Sequence, residues 1–203
     1  MIINSNGDVL ETFRDAMCFD DVLLTPQHSD IESRSEVNIG NTIAGHKLDL
    51  PIVSSPMDTV TGEEMALTMS QNGGVGIIHR YNSIDDQQRM IESLCEDIDL
   101  IGVAIGVSGD HLLRARACVA SGATLLCIDV AHGHHVLVER ALKQLKDKYG
   151  DNIHLMAGNV ATLEAFNNLA DWGADSIRVG VGGGSICSTR IQTGHGVPTL
   201  QSI

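Results

Sequence analysis

The sequence is short of positive charge. It sets 13 Lys and Arg against 26 Asp and Glu, for a formal net charge of -13. That balance excludes a broad nucleic-acid surface, which needs clustered Lys and Arg. It does not exclude an anionic ligand, because backbone N–H groups bind anions without a basic patch. No apolar run reaches the ~18 residues of a membrane span, so no membrane partner is expected. The opening residues, MIINSNGDVLETF, lack a basic region followed by an apolar run, which argues against a signal peptide there. The five cysteines (Cys18, Cys95, Cys118, Cys127 and Cys187) are odd in number and widely spaced, with no C-x-x-C. A disulfide framework and a structural zinc site are thereby disfavoured, and a reducing, cytoplasmic location is expected. There is no linker and no low-complexity tract, so residues 1–203 read as one domain.

What is present is an alternation. LPIVSSP (50–56), VGIIHR (75–80), IGVAIG (101–106), LLCIDVA (125–131), HLMAGNV (154–160) and SIRVGVG (176–182) are short apolar strands. Between them lie helical stretches: GEEMALTMSQNG (62–73), SIDDQQRMIESLCED (83–97), GDHLLRARACVASG (109–122), HHVLVERALKQLKDKYG (134–150) and TLEAFNNLADWG (162–173). Ser83 is an expected N-cap followed by acids in the first turn. Continuous apolar strands separated by helices indicate a parallel sheet buried on both faces. NGGVGIIH, SGATLLCIDV and WGADSIRVGV form a weak internal echo that suits a (β/α)₈ TIM barrel, of which this chain supplies about six strands. A doubly wound open sheet is the alternative. Residue types suited to chemistry fall at the ends of several successive strands, which favours the barrel. Upstream, CFDDVLLTP reads as a short strand with a turn at Pro26, and SDIESRSEVNIG as a polar cover over one end of the barrel.

Four strand ends carry candidate residues. SSPMDTV (54–60) offers Ser55 and Met57 as ligand contacts, or Ser and Asp as caps for the next helix. Asp129 in IDVAHGHH could bind ribose hydroxyls or orient a nicotinamide. His132, His134 and His135 lack a metal-binding pattern and better suit a helix start. Asn159 in AGNV is either a turn residue or N-cap, or a ligand-holding amide. The fourth is GVGGGSICST (180–189), where the glycines permit close approach of a ligand and an anion nest, with Ser185 adding a hydroxyl. Cys187 lies in this polar loop, either as an incidental cysteine on a glycine-rich surface turn or as a nucleophile whose thiol pKa is lowered by neighbouring N–H donors. TGHGVP (193–198) is either the start of a mobile flap or a long turn.

FDDVLLTP, SSPMDTVT, GGVGIIHR, DVAHGH, AGNV and VGVGGGSICSTR, in this order from about residue 18 onward, resemble the IMP dehydrogenase/GMP reductase family. The resemblance implies a tetrameric (β/α)₈ barrel that attacks carbon 2 of a purine nucleotide with a cysteine thiol. Dehydrogenases oxidise IMP to XMP with NAD⁺; reductases convert GMP to IMP with NADPH. On this pattern Cys187 is the nucleophile and Thr189 the proton-handling hydroxyl. Ser185 resembles a phosphate ligand, Ser55 and Met57 nucleotide contacts, and Asp129 and Asn159 residues near the ribose and nicotinamide. The carbonyls of Gly182, Gly184 and Cys187 match a potassium site.

The chain also departs from that pattern. Gly183 stands where proline is common, which implies a looser loop, and Ser188 where threonine is common. YNSIDDQQRMIESLCEDIDLIGVAIG leaves no room for the CBS modules that most IMP dehydrogenases insert. The family's last two strands, its DGG-type contacts and its flap are expected beyond LQSI. SSPMDTVTGEEMA, GGVGIIHR and GHGVPTLQSI lean to a dehydrogenase. The absent modules and DVAHGHH lean to a reductase, although Gln192 replaces the lysine often found in reductases. A non-catalytic nucleotide-binding barrel is the reading from another class.

Overall fold

The computed structural model describes residues 2–3, 9–11 and 16–203. The rest of the opening stretch, read above for a leader, lies outside the described residues. Two short strands, β1 (Ile2–Ile3) and β2 (Val9–Glu11), pair antiparallel. A hairpin follows, of β3 (Asn41–Ile43) and β4 (His46–Leu48). The body is a parallel six-stranded sheet of β5 (Val53–Ser54), β6 (Val75–Ile78), β7 (Gly102–Ile105), β8 (Leu125–Asp129), β9 (His154–Val160) and β10 (Ser176–Val179). Strand order in space is strand order in the chain, as in a winding barrel rather than a doubly wound sheet. The connecting helices are α1 (Glu63–Gln71), α2 (Ile84–Glu92), α3 (His111–Ala120), α4 (Val136–Tyr149) and α5 (Leu163–Asp171). Two short helices, α6 (Ser188–Thr193) and α7 (Thr199–Ser202), follow β10.

Local chemistry sets these boundaries. The Ser83 hydroxyl accepts from the Asp86 N–H at 3.0 Å and caps α2. Thr162 does the same for α5 through the Ala165 N–H. His135 caps α4, its Nδ1 accepting from the Leu137 N–H at 3.1 Å. Among the described residues no helix is long and apolar enough to cross a membrane.

Alternation along the strands divides the core in two. Ile78, Val103, Ile105, Leu126, Ile128, Leu155 and Ala157 face the helices and pack on Ile91, Leu142, Leu145 and Leu169. Their neighbours Ile77, Ala104, Leu125, Cys127 and Met156 face inward and join Leu48. One residue thus faces a helix and the next the barrel interior, which is why the strands read as unbroken apolar runs. The hairpin places Leu48, with Ile43 and Ala44, against this interior cluster.

Two expectations upstream are corrected. CFDDVLLTP is not a strand: Phe19–Asp21 is a single 3₁₀ turn, and Leu23 and Leu24 are 96% and 97% exposed. The Asp21 carboxylate accepts from the Cys18 N–H at 2.7 Å, a local bond that favours the turn. The segment packed on the barrel interior is the hairpin 41–48, whereas residues 29–39 are exposed.

Candidate active site

Beyond Cys127 the inward positions turn polar. Asp129 lies two residues on along β8, Gly158 two beyond Met156 on β9, and Arg178 on β10 between Ile177 and Val179, which pack toward the helices. These three form the next interior layer. Arg178 Nη1 donates to Asp129 Oδ1 at 2.5 Å and to Cys127 Sγ at 3.7 Å. Gly158 leaves the room this needs: a β-carbon there would come within 2.6 Å of the Arg178 Cβ. The Arg80 guanidinium, at the end of β6, reaches the Asp129 carbonyl at 3.4 Å and lies 5.3 Å from the Tyr81 ring centroid.

Asn159 stitches the neighbouring strand ends together. Its side-chain amide donates to the Gly180 carbonyl at 3.0 Å, its N–H to Val130, and its carbonyl accepts from Gly133. It is not an N-cap, since that position of α5 belongs to Thr162. Near β5 the Thr61 hydroxyl donates to the Ser55 carbonyl at 2.6 Å, folding SSPMDTV into a closed loop. Gly62 is the N-cap of α1, so neither serine nor aspartate of that loop caps the helix.

The glycine-rich loop rises from β10. The Gly180 N–H donates to Val160 at 2.7 Å, and the Cys187 N–H to Gly184 at 3.1 Å. Cys187 is the N-cap of α6. Its thiol is held below the usual range, first by the Arg190 N–H, then by the Thr189 N–H and hydroxyl and the Arg190 charge, against some desolvation. Cys118 and Cys127 are the opposite case, where burial pushes both thiols up to about 11. Arg190 also donates to the Ser185 carbonyl at 2.7 Å. TGHGVP ends α6 at Gly194, in the left-handed region at φ 71, and returns to the loop where the Val197 N–H donates to Val181 at 2.8 Å.

These strand ends enclose a cleft of about 680 Å³. Ser55, Met57, Asp129, Asn159, Gly182, Gly184, Cys187 and Thr189 all line it, from four different strand ends. Ser185 does not; it is exposed on the loop between two lining residues. Arg178 and Tyr81 line the cleft and were not singled out from the sequence. The signal for Arg178 was a charge inside an apolar strand. His134 stacks on Trp172 at 5.9 Å and bonds Asn168, which with the His135 cap gives two of the three histidines structural partners.

The fold and the cleft define a (β/α) barrel with a cysteine of lowered thiol pKa beside a cleft at the C-terminal ends of its strands. The IMP dehydrogenase / GMP reductase domain model matches residues 16–203, and the chain belongs to that family. It is 32% identical to an inosine-5'-monophosphate dehydrogenase of Borreliella burgdorferi, over 94% of this chain and 59% of that protein. It is 36% identical to GMP reductase 1 of Rattus norvegicus, over 91% and 55%. It thus spans between half and three fifths of these curated relatives. A crystal structure of GMP reductase from Trypanosoma brucei, in complex with guanosine 5'-triphosphate, superposes with a TM-score of 0.88 at 25% identity. The alignment covers 94% of this chain and 77% of that one. The family consists of oxidoreductases that act on purine nucleotides and use nicotinamide cofactors.

Proposed function

We propose that the chain is the greater part of a single catalytic barrel, without CBS modules, that oxidises IMP to XMP through a covalent adduct on Cys187. The observation that carries this reading is the placement of a thiol of lowered pKa on the rim of the cleft floored by Asp129, Asn159 and Arg178. The Cys187 thiolate adds to purine carbon 2; NAD⁺, when bound beside Asp129 and Asn159, would supply the acceptor for the hydride that leaves that carbon. Water then adds to the same carbon, the carbon–sulfur bond breaks, the thiolate is restored and one proton is released. Thr189, whose hydroxyl lies by the thiol, handles a proton in these steps. Ser55 and Met57 contact the nucleotide, and Ser185 reaches its phosphate once the loop closes on it. Asp129, held by Arg178, and Asn159 orient the ribose and nicotinamide.

Potassium would be held by the carbonyls of Gly182, Gly184 and Cys187. The residues fit that task. The Gly184 and Cys187 carbonyls each accept one backbone bond, which leaves each a free lone pair. Gly182, at φ 69, sits where a β-carbon would press within 2.9 Å of the His195 carbonyl. A bound cation would order the loop. A homotetramer in a reducing cytoplasm completes the reading, in keeping with five free thiols.

The second reading is a GMP reductase using NADPH, favoured by relatives of that name at up to 36% identity and by the likeness to the trypanosomal enzyme. Two assays on the full-length protein decide. IMP with NAD⁺, and separately GMP with NADPH, are followed by absorbance of the reduced cofactor; turnover of GMP alone would overturn the preferred reading. Incubation with 6-chloropurine ribotide is expected to add one nucleotide to Cys187 by intact mass. No adduct would leave a non-catalytic barrel standing.

A further inference from the structure

The loop that carries Cys187 is fastened at several points. Val181 accepts from the Val197 N–H at 2.8 Å, and Gly182 lies against the Gly196 backbone. Arg190 holds the Ser185 carbonyl at 2.7 Å, its stem lying near both Gly182 and Gly196. Between these anchors is Gly183, the position where the lack of proline predicts a looser loop. There the loop meets α7. A β-carbon on Gly183 would fall 2.1 Å from the Thr199 hydroxyl oxygen and 3.5 Å from its Cβ. The first distance is far inside contact, so the Thr199 hydroxyl already fills the space that a side chain at 183 would occupy. The second shows that the conflict lies with that branch of Thr199 and not with the backbone of α7. Pro198 precedes Thr199 and fixes the start of α7, which limits how far the pair can separate.

We propose that Thr199 is a positioning residue for the nucleophile loop, and that Gly183 and Thr199 form a matched pair in which only one partner can carry the bulk. Thr199 touches neither the thiol nor the cleft; it acts by setting the path of residues 182–186, and so the aim of Cys187. This rests on Cys187 being the nucleophile, a reading judged separately by adduct formation with 6-chloropurine ribotide.

The test is the pH profile of Cys187 alkylation by iodoacetamide in the full chain. Cleavage after Arg178 and Arg190 releases VGVGGGSICSTR, a peptide whose single cysteine is Cys187. The unsubstituted chain should show a midpoint below the ordinary thiol value of about 8.5. Gly183→Ala should raise it by at least about half a pH unit, lowering the rate at neutral pH roughly threefold. Gly183→Ala/Thr199→Ala should return it to the starting value. Thr199→Leu leaves the loop sequence intact and crowds Gly183 from the other side, so it should give the same upward shift. An unmoved midpoint in both single variants overturns the pairing, and so does a double variant as shifted as Gly183→Ala. Adduct formation with an unmoved midpoint refutes the pairing alone; no adduct refutes the nucleophile.

Discussion

Replacing Arg178 by methionine probes the floor of the cleft most directly. The guanidinium donates to Asp129 Oδ1 at 2.5 Å, and the two side chains are 24% and 20% exposed. Two unit charges with centres ~4 Å apart attract by about 4 kcal/mol at an effective dielectric of ~20. Desolvation of both groups offsets part of that attraction. Removing one partner of a fully buried pair costs about 3–5 kcal/mol. The remaining solvent contact here lowers the expected loss to about 2 kcal/mol for Arg178→Met. In Arg178→Met/Asp129→Asn no uncompensated charge is left, so the double variant should lose about 1 kcal/mol less than the sum of the singles. Urea unfolding reads both quantities, provided the slopes stay equal. Turnover is the second readout: if Asp129 orients the ligand, a lost charged hydrogen bond of about 1.5–3 kcal/mol lowers kcat/KM roughly 10- to 150-fold. A stability loss under about 0.5 kcal/mol for the single variant, or strict additivity in the double, would refute the reasoning.

Other parts of the molecule give independent tests. Gln87 is fully buried, its amide donating to the His79 and Ala104 carbonyls and its oxygen accepting from Arg114 at 2.9 Å. Gln87→Leu should therefore cost about 3 kcal/mol, seen as a lower Tm, because a nearly buried guanidinium loses an acceptor. His154, bonded to Ser176, is held below its usual pKa by burial, which outweighs the pull of Asp175; Lys146 adds to the lowering. The unfolded chain therefore binds this proton first, so stability from this group is lost as pH falls through about 6.5 and levels off below the folded value. The urea midpoint should drop over that window, and His154→Asn should flatten the drop. Turnover of the full-length protein should depend on potassium; equal rates in lithium and potassium buffers would count against the carbonyl site.

The barrel was legible because its central strands, β6 to β9, are buried on both faces. Ile77 and Ile78, or Leu125 through Ile128, are apolar at every position because one residue meets a helix and the next the interior. Helix ends were legible where one side chain makes a local bond, as Ser83 does. The strand expected in CFDDVLLTP failed because apolar residues alone do not supply a partner strand, while Asp21 could satisfy a backbone N–H three residues away. The cleft was legible in Cys187, Asp129 and Asn159, which stand at strand ends or in the loop beyond one. It was not legible in its pairing, because Arg178 and Asp129 are 49 residues apart and meet only when the sheet curls.

Yet the alternation that hid Arg178 also explains it. Ile177 and Val179 turn to the helices, so the residue between them must face the interior. A guanidinium there needs an acceptor from another strand at the same level. Asp129 is that acceptor, and Gly158 on the intervening strand is what lets the two meet. In a buried parallel strand, then, a lone arginine two residues before the chain leaves the sheet marks the level at which the interior stops being core and becomes cleft.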